Sequence, residues 1–306
     1  MRRRSLLAAL SSAAVLAACE SGGEEATGTL RIATGSSGAV YYKYGSAIAE
    51  LAKRYLPKVQ ASVLSTAASK ENVEDVLNGS ADVGFTQADI AAAYETRQPG
   101  QLGALARLYD DYIHVVVGAD GPIRRFADLA GRRVSIGGEG SGTAVTADRV
   151  LGVTGVQVAR FTFGLDKSVE QMRAGEIDAF FFSGGLPVSA IDTLARAMPI
   201  RLLEMSEPIP QLRKMYGDYY AERVVPASTY PGISATVAIG IANYLVVRQS
   251  MDEPLAYGVT RLLFEGRDEL AQAHQAAARL NIRSAISTPP LALHAGAVRY
   301  YRAQKA

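Results

Sequence analysis

Two glycine-rich segments of this sequence are suited to binding an anion. They are Thr34-Gly-Ser-Ser-Gly38 and Gly137-Gly-Glu-Gly-Ser-Gly-Thr143, and each stands directly before a helical pattern. A glycine-rich loop that enters a helix presents backbone N–H groups and the positive end of the helix dipole, which favour a carboxylate or a phosphate. Neither loop has the spacing of the nucleotide-binding motifs. One such loop alone is an ordinary strand-to-helix turn, whereas two together favour a ligand site.

The residue types that catalysis needs do not form a recognisable group. Three widely separated histidines lack metal-ligand spacing: His114, His274 and His294. His114 lies in an apolar, strand-like run, so we interpret it as structural. The loop serines have no G-x-S-x-G context. The adjacent acids Asp110 and Asp111 lack helical spacing and predict a solvated turn. The sequence therefore predicts a protein that is not an enzyme and needs no cofactor or metal. A hydrolase is the alternative, and it would require a nucleophile and a base.

Short apolar runs alternate with helical patterns along the chain. The runs that predict strands are residues 29–33, 59–64, 83–85, 134–136 and 179–182. The helical patterns cover residues 41–56, 70–77, 143–151 and 188–198. This alternation predicts an α/β architecture with largely parallel sheets.

One internal similarity indicates two related halves. Residues 72–85 and 168–181 align without a gap, and Val, Glu, Gly, Asp and Phe recur in register. Each copy predicts a helix that ends at a glycine, Gly79 or Gly175, and an aspartate, Asp82 or Asp178, that opens a buried strand. Such units look alike in many α/β proteins. The glycine-rich loop upstream of each copy nevertheless favours two similar lobes.

Two long apolar segments, residues 112–118 and 236–247, predict strands that cross between these lobes. We expect lobe I to contain residues 29–117 and 231–306, and lobe II to contain residues 118–230. The cleft between two lobes is the expected place for a ligand.

The first residues have the order of a secretion signal, because Arg2, Arg3 and Arg4 precede an apolar run over residues 6–18. That run is shorter than the roughly 20 residues that cross a bilayer as a helix. It ends in Leu16-Ala17-Ala18-Cys19, which resembles the lipobox of bacterial lipoproteins, and Cys19 is the only cysteine. We expect a signal peptide over residues 1–18, a lipid on Cys19 and a flexible tether over residues 19–28. The chain would be exported by the Sec or the twin-arginine route. It would then be lipid-anchored to the outer face of the cytoplasmic membrane or lie in the periplasm.

The charge balance argues against a nucleic-acid partner. Lys and Arg total 32 and Asp and Glu total 30, and loss of the three leader arginines leaves the mature chain close to neutral. Binding to nucleic acid usually requires a strong basic field. The chain is 48% apolar over its 306 residues, which is enough to bury a large core.

Several segments resemble one receptor family. Thr34-Gly-Ser-Ser-Gly-Ala-Val-Tyr-Tyr42 is similar to the signature loop of the TRAP-associated extracytoplasmic immunogenic (TAXI) solute receptors. Further similar segments follow in order at residues 66–72, 131–143, 178–187, 225–232 and 293–301. The resemblance covers nearly the whole mature chain. It implies an α/β, two-lobed periplasmic-binding-protein (type II-like) fold with two hinge-crossing strands.

The resemblance also implies a function. Members capture small carboxylates, chiefly glutamate-like amino acids or dicarboxylates, and deliver them to a TRAP membrane permease. This sequence has Ala39-Val40 where the family usually has Gly-Thr, and Ala67-Ala68 where it usually has Gly-Gly. These changes add methyl groups and remove a hydroxyl, so the ligand's size and polarity stay open. The alternative partner is a membrane sensor kinase that reads the loaded receptor. We expect a monomer.

The expected ligand contacts come from both glycine-rich loops and from the helices that follow them. N–H and hydroxyl donors are expected from Gly35, Ser36, Ser37, Gly38, Ser141, Gly142 and Thr143. One of Tyr41 and Tyr42, at the start of the first helix, is expected to touch the ligand. At the second helix, the residues that either cap the helix or contact the ligand are Thr66, Ser69 and Asn72.

A second group of expected contacts lies where strands end, because α/β sheets bind ligands at the carboxyl ends of their strands. In the first half this position belongs to Gln87. In the second half it belongs to Gly184, Gly185 and Pro187. Tyr230 is a further candidate at the edge of the cleft.

Overall fold

Ten β-strands and eleven α-helices occur within residues 25–304, which are the residues that the computed structural model describes. The strands are β1 (Gly28–Ala33), β2 (Val59–Leu64), β3 (Val83–Gln87), β4 (Leu102–Gly118), β5 (Arg133–Ser135), β6 (Ala159–Phe161), β7 (Ala179–Gly184), β8 (Ile200–Leu202), β9 (Ala221–Val225) and β10 (Thr236–Arg248). The helices are α1 (Val40–Tyr55), α2 (Ser69–Asn78), α3 (Ala88–Arg97), α4 (Gly142–Thr154), α5 (Leu165–Arg173), α6 (Ser189–Ala197), α7 (Ile209–Tyr216), α8 (Glu253–Glu265), α9 (Arg267–Ala273), α10 (Ile282–Ala285) and α11 (Ala295–Ala303). The predicted signal peptide and Cys19 lie outside the described residues.

Each strand and helix predicted from the apolar pattern is present. The last residues of the predicted tether already belong to the fold, since Ala26 is buried and Gly28 begins β1. Glu25 also forms an ion pair with Lys58 at 2.6 Å.

Strand β4 is longer than predicted, and the difference changes the interpretation of two acids. It begins at Leu102 rather than at residue 112, so the predicted solvated turn at Asp110 and Asp111 is wrong. Adjacent residues of a strand point to opposite faces of the sheet. Asp110 pairs with Arg107 at 2.7 Å and with Arg223 at 2.9 Å. Asp111 is only 4% exposed.

The sheet has the order β2-β1-β3-β10-β4-β7-β5-β6, with β8 on β4 and β9 on β10. The expectation of a largely parallel sheet holds only for its two outer parts, where β1 pairs with β2 and β3, and β5 with β6 and β7. The middle is antiparallel, because β4 and β10 run in opposite directions and each pairs antiparallel with its outer neighbour.

Four hydrophobic clusters lie in two groups. The buried members of two clusters come from residues 26–109 and 244–301, and those of the other two come from residues 113–241. We refer to the two parts as lobe I and lobe II. Strands β4 and β10 contribute to both: Leu105 and Leu245 lie in a lobe I cluster, whereas Val115 and Ile241 lie in a lobe II cluster.

The internal repeat corresponds to the same structural unit in each lobe. Asp82, which precedes β3, accepts hydrogen bonds from the backbone N–H of Arg31 at 2.8 Å and from its guanidinium at 2.9 and 2.7 Å. Asp178, which precedes β7, accepts the same set from Arg133 at 2.8, 3.2 and 2.8 Å. Each aspartate thereby joins the strand that follows the repeated helix to the neighbouring parallel strand. The recurring aspartate therefore has a structural role in both copies.

Ala68, directly before α2, has a strained backbone. Its φ is 83° and its ψ is −142°. Within residues 25–304, Ala68 is the one non-glycine residue with a positive φ. A Cβ is disfavoured in this region, at a cost of about 1–3 kcal/mol. Hydrogen bonds hold the conformation, because Ala68 N–H donates to Thr66 Oγ1 at 3.0 Å and Asn72 Nδ2 donates to the carbonyls of Thr34 at 2.6 Å and Phe85 at 2.8 Å.

Asp82→Asn should lower the free energy of unfolding by about 1–2 kcal/mol at pH 7, because it weakens charged hydrogen bonds in a partly buried site. Burial alone would raise the pKa of Asp82, but hydrogen bonds and charge from Arg31 outweigh burial and hold this pKa below its ordinary value. A lowered native pKa stabilises the fold above the unfolded-state pKa, and this stabilisation is lost as pH falls through the native pKa. The deficit should therefore be complete at pH 7 and shrink below about pH 4.

Urea denaturation at several pH values measures this deficit. The control is Asp192→Asn, which weakens a more exposed i,i+4 pair with Arg196 and should change stability little. Equal losses of unfolding free energy in both variants, or a deficit that persists unchanged at low pH, would contradict the stabilising role of the Asp82–Arg31 bonds.

Ala68→Gly should raise the free energy of unfolding by about 1 kcal/mol, because relief of the strained φ outweighs the extra backbone entropy of glycine in the unfolded chain. Ala67→Gly is the matched control; Ala67 is not among the residues with positive φ, so that variant should be destabilised. Urea denaturation of the two variants compares them directly. A loss of stability in both would show that the backbone at Ala68 is not strained.

Candidate ligand-binding site

A cavity of about 140 Å³ lies between the two lobes. Its walls come from four loop or helix-start segments, within residues 35–41, 66–69, 137–143 and 163–165, and from the end of β7 at residues 181–184. Three further side chains complete it: Gln87, Tyr109 and Asp111. Both glycine-rich loops therefore contribute to one cavity.

Four helices begin at this cavity. The residues that line it at their N-termini are Val40 of α1, Ser69 of α2, Gly142 of α4 and Leu165 of α5. In α1, α2 and α5 the residue before the helix makes no side-chain capping bond. In α4, Ser141 Oγ accepts from the backbone N–H of Ala144 at 3.0 Å. The first N–H groups of a helix have no partner within the helix. Four helix dipoles thus make the cavity favourable for negative charge.

Polar side chains from four neighbouring strands form a row on the sheet side of the cavity. They are Gln87 on β3, Asn243 on β10, Asp111 on β4 and Ser183 on β7. Gln87 Nε2 donates to Ser183 Oγ and to Asp111 Oδ2, the latter at 3.3 Å, and Ser183 Oγ donates to Asp111 Oδ2 at 3.2 Å. Two acceptors and one donor of these side chains are buried without a hydrogen-bond partner: Asp111 Oδ1, Gln87 Oε1 and Asn243 Nδ2. We call these four side chains the strand row.

Burial dominates the electrostatics of the strand row. It raises the pKa of the Asp111 carboxyl to about 7, although the Asn243 amide and the hydrogen bonds from Ser183 and Gln87 act in the opposite direction. No lysine, arginine or histidine among the described lining residues is present to favour its charged form.

Tyr41 connects the strand row to the helix starts. Its hydroxyl donates to Asn243 Oδ1 and lies 3.2 Å from Ser69 Oγ. Its ring stacks on Phe85, with 5.0 Å between the ring centroids. Other aromatic rings also line the cavity, from Tyr109, Phe163, Phe181 and Phe182. The space is therefore part polar and part apolar.

The structure brings many of the sequence-predicted contact residues to this cavity. Those that line it are Gly35, Ser36, Tyr41, Thr66, Ser69, Gln87, Ser141, Gly142, Thr143 and Gly184. Of the tyrosine pair, Tyr41 lines the cavity, whereas Tyr42 is not among the lining residues.

The other predicted residues lie elsewhere. Ser37 and Gly38 are exposed in the loop before α1, and Pro187 lies just before α6. Gly185 packs beside Tyr109 and Ala276, and Asn72 lies behind the cavity wall, bonded to the ends of β1 and β3.

Tyr230 is buried in lobe II. Its hydroxyl accepts from the Val188 N–H at 3.0 Å and lies 2.9 Å from His114 Nε2. Burial lowers the pKa of His114 to about 4. His114 is 1% exposed, as expected for a structural histidine.

Sequence reasoning missed several lining side chains, above all Asp111, Ser183 and Tyr109. One signal could have revealed them. Tyr109 and Asp111 are two residues apart and directly precede the predicted strand at residue 112, so extending that strand by three residues places both on one face.

Some kinds of residue are absent from the lining. Among the lining residues that the structure describes there is no lysine, arginine or histidine. Within residues 25–304, no group of three His, Cys, Asp or Glu side chains is placed to hold a metal ion. In the same part of the chain, no helix combines the length and apolarity that crossing a membrane requires.

A buried ion pair joins the lobes beside the cavity. Arg149 of α4 donates to Asp89 Oδ2 of α3 at 2.6 Å and to the Tyr220 hydroxyl at 2.6 Å. Tyr220 in turn donates to Asp89 Oδ2 at 2.8 Å. The Asp89 side chain is fully buried, and that of Arg149 is 15% exposed. Because Asp89 follows β3 and Arg149 lies in lobe II, this contact exists only when the lobes are together.

Known proteins share this architecture. The fold is similar to that of the periplasmic aliphatic sulphonate-binding protein SsuA from Escherichia coli, with 18% identity, a TM-score of 0.52, and coverage of 91% of this chain and 84% of that one. It is also similar to a putative L-cystine ABC transporter structure from Listeria monocytogenes, with 14% identity, a TM-score of 0.54, and coverage of 81% and 95%. These similarities confirm the predicted α/β, two-lobed periplasmic-binding-protein fold. The sequence model of the NMT1-like family matches residues 32–304. The chain therefore belongs to the NMT1-like family.

Proposed function

We propose that this protein is the extracytoplasmic solute-binding receptor of a transporter and that it captures a small carboxylate between its lobes. One observation carries this proposal: both lobes supply helix N-termini to a single cavity. Family membership and the fold shared with a periplasmic binding protein support the receptor class.

The ligand's charge and size follow from the cavity. Uncapped N–H groups and helix dipoles bind a carboxylate without a basic side chain. A cavity of about 140 Å³ is close to the ~150 Å³ that encloses a benzene molecule. A small carboxylate suits a space of this size. No histidine that could activate a serine is among the lining residues that the structure describes, which supports binding without chemistry on the ligand.

Capture occurs by closure of the lobes, which we assign to residues 29–117 with 231–306 and to residues 118–230. In the closed form, Gln87 of lobe I bonds to Ser183 of lobe II, and the Arg149–Asp89 pair is sequestered from water. Opening would break these bonds and hydrate the charged groups. Closure around a ligand therefore couples binding to the interlobe contacts.

The partner in this proposal is a TRAP-type permease, as the TAXI-like segments imply. A lipid on Cys19 would keep the receptor at the membrane surface, where tethering raises its effective concentration near the permease.

Calorimetry of the mature domain should detect binding of at least one compound from a panel of dicarboxylates and amino acids. Gly142→Ala should abolish that binding, because a Cβ on Gly142 would collide with Gln87 Oε1 and lie 2.8 Å from Ser69 Oγ across the cleft. The matched control is Gly152→Ala in the same helix, where a Cβ meets nothing within 4 Å. Absence of binding by the whole panel would contradict the proposed function.

Arg149→Ala should weaken binding by about tenfold or more, because it leaves the buried Asp89 carboxylate without its cationic partner when the lobes close. The ligand-free variant should also show a larger radius of gyration in small-angle X-ray scattering. The control is Arg160→Ala, which removes an exposed pair with Asp148 and should change neither quantity. If Arg149→Ala lowers stability but keeps the affinity and the radius of gyration of the original protein, the proposed role of Arg149 in lobe closure is contradicted.

A further inference from the structure

The strand row presents hydrogen-bond acceptors to the cavity. Asp111 Oδ1 and Gln87 Oε1 both belong to side chains that line the cavity, and both lack a partner. Asp111 is 4% exposed and Gln87 is 1% exposed. The second oxygen of Asp111 already accepts hydrogen bonds from Gln87 and Ser183, so these donors do not satisfy the first.

A buried acceptor without a donor is costly, and a buried carboxylate without a cation is more so. No lysine, arginine or histidine of the described lining residues can supply that cation. Asp110, the neighbouring acid, bonds to Arg107 and Arg223. Asp111 is therefore a buried acid that lines the cavity and has no basic side chain beside it among the described lining residues.

The two sides of the cavity differ in chemistry. The helix N-termini offer N–H donors. The strand row offers two free acceptors on lining side chains, whereas its free donor, Asn243 Nδ2, lies outside the lining; the hydroxyl of the lining residue Tyr109 is also without a partner. A plain dicarboxylate would satisfy the donors, but it would bring a second negative charge towards Asp111 and leave both acceptors unpaired. A molecule with a carboxylate and a protonated amine matches both sides.

We propose that Asp111 is a specificity-determining residue that selects a ligand carrying a protonated amine, with Gln87 Oε1 as the second acceptor. The inference rests on the proposed function, because it assumes that the ligand's carboxylate occupies the helix starts. It narrows the ligand class from small carboxylates in general to zwitterionic ones, such as α-amino acids.

The direction of the Asp111 pKa is consistent with this role. Burial raises this pKa to about 7, and an ammonium group at hydrogen-bond distance would favour the charged carboxylate. The bound amine would thereby replace the cation that the protein omits.

The experiment uses two matched pairs of compounds that differ by the amine: glutamate with glutarate, and leucine with 4-methylpentanoate. Calorimetry at pH 7.5 gives the affinity of the mature protein for each compound. For at least one pair, the amine-bearing member should bind about 30-fold or more tightly than its partner, as expected for a charged hydrogen bond made in a buried site.

Asp111→Asn should reduce that ratio to less than about tenfold, because the amide keeps the shape and loses the charge. Asp110→Asn is the control, since Asp110 does not line the cavity, and it should keep the ratio of the original protein. Thermal unfolding followed by circular dichroism verifies that both variants are folded. The ratio in the unmodified protein tests the inference even if a variant fails to fold.

The outcomes separate the inference from the proposed function. Glutarate or 4-methylpentanoate binding as tightly as its amine-bearing partner would overturn the inference and leave the carboxylate receptor standing. The same holds if Asp111→Asn keeps the full ratio. Mass spectrometry of a co-purifying carboxylate without an amine would also overturn it. If none of these compounds and none of the wider panel binds, the proposed function fails, and the inference fails with it.

Discussion

The pairing of β4 with β10 is the constraint on which the rest of the structure depends. Both strands are long, run antiparallel and bury residues in the cores of both lobes. Strand β3 pairs antiparallel with the end of β10 in lobe I, and β7 pairs antiparallel with the end of β4 in lobe II. As a result, β3 and β7 run in opposite directions with their carboxyl ends turned towards each other. The two parallel units therefore face one cavity.

This geometry would allow the proposed site to hold an anion without a basic side chain. The helices that follow strands in both units begin at the same cavity, and their first N–H groups are fixed by the fold. Donors fixed in this way need no reorganisation when a ligand arrives. The strand row crosses the middle of the sheet, where Gln87 and Ser183 end the two units and Asp111 lies between them. N–H donors on one side of the cavity and side-chain acceptors on the other would orient a bound ligand.

Costly local features gather around the same space. Ala68 has a strained backbone, Asp111 has a free buried oxygen, and Arg149 and Asp89 are charged groups shielded from water. Each is maintained by contacts elsewhere, as when Asn72 bonds the ends of β1 and β3 together. Conformational strain and unpaired polar groups often accumulate at ligand sites, because the surrounding fold supplies the stability that they lack.

The sequence by itself determined the repeated unit, its strands and helices, and both glycine-rich loops, because apolar periodicity and glycine placement act locally. It also indicated a tyrosine pair, of which Tyr41 lines the cavity, and Gln87 at a strand end. Tertiary structure decided where Asp111 lies, because a carboxylate beside another acid resembles a turn until the partner strand β10 pairs with it. It also decided that Tyr230 and Asn72 hold the scaffold. Which side chains share a cavity depends on strand direction across the sheet, and that direction is fixed by contacts between residues far apart in the chain.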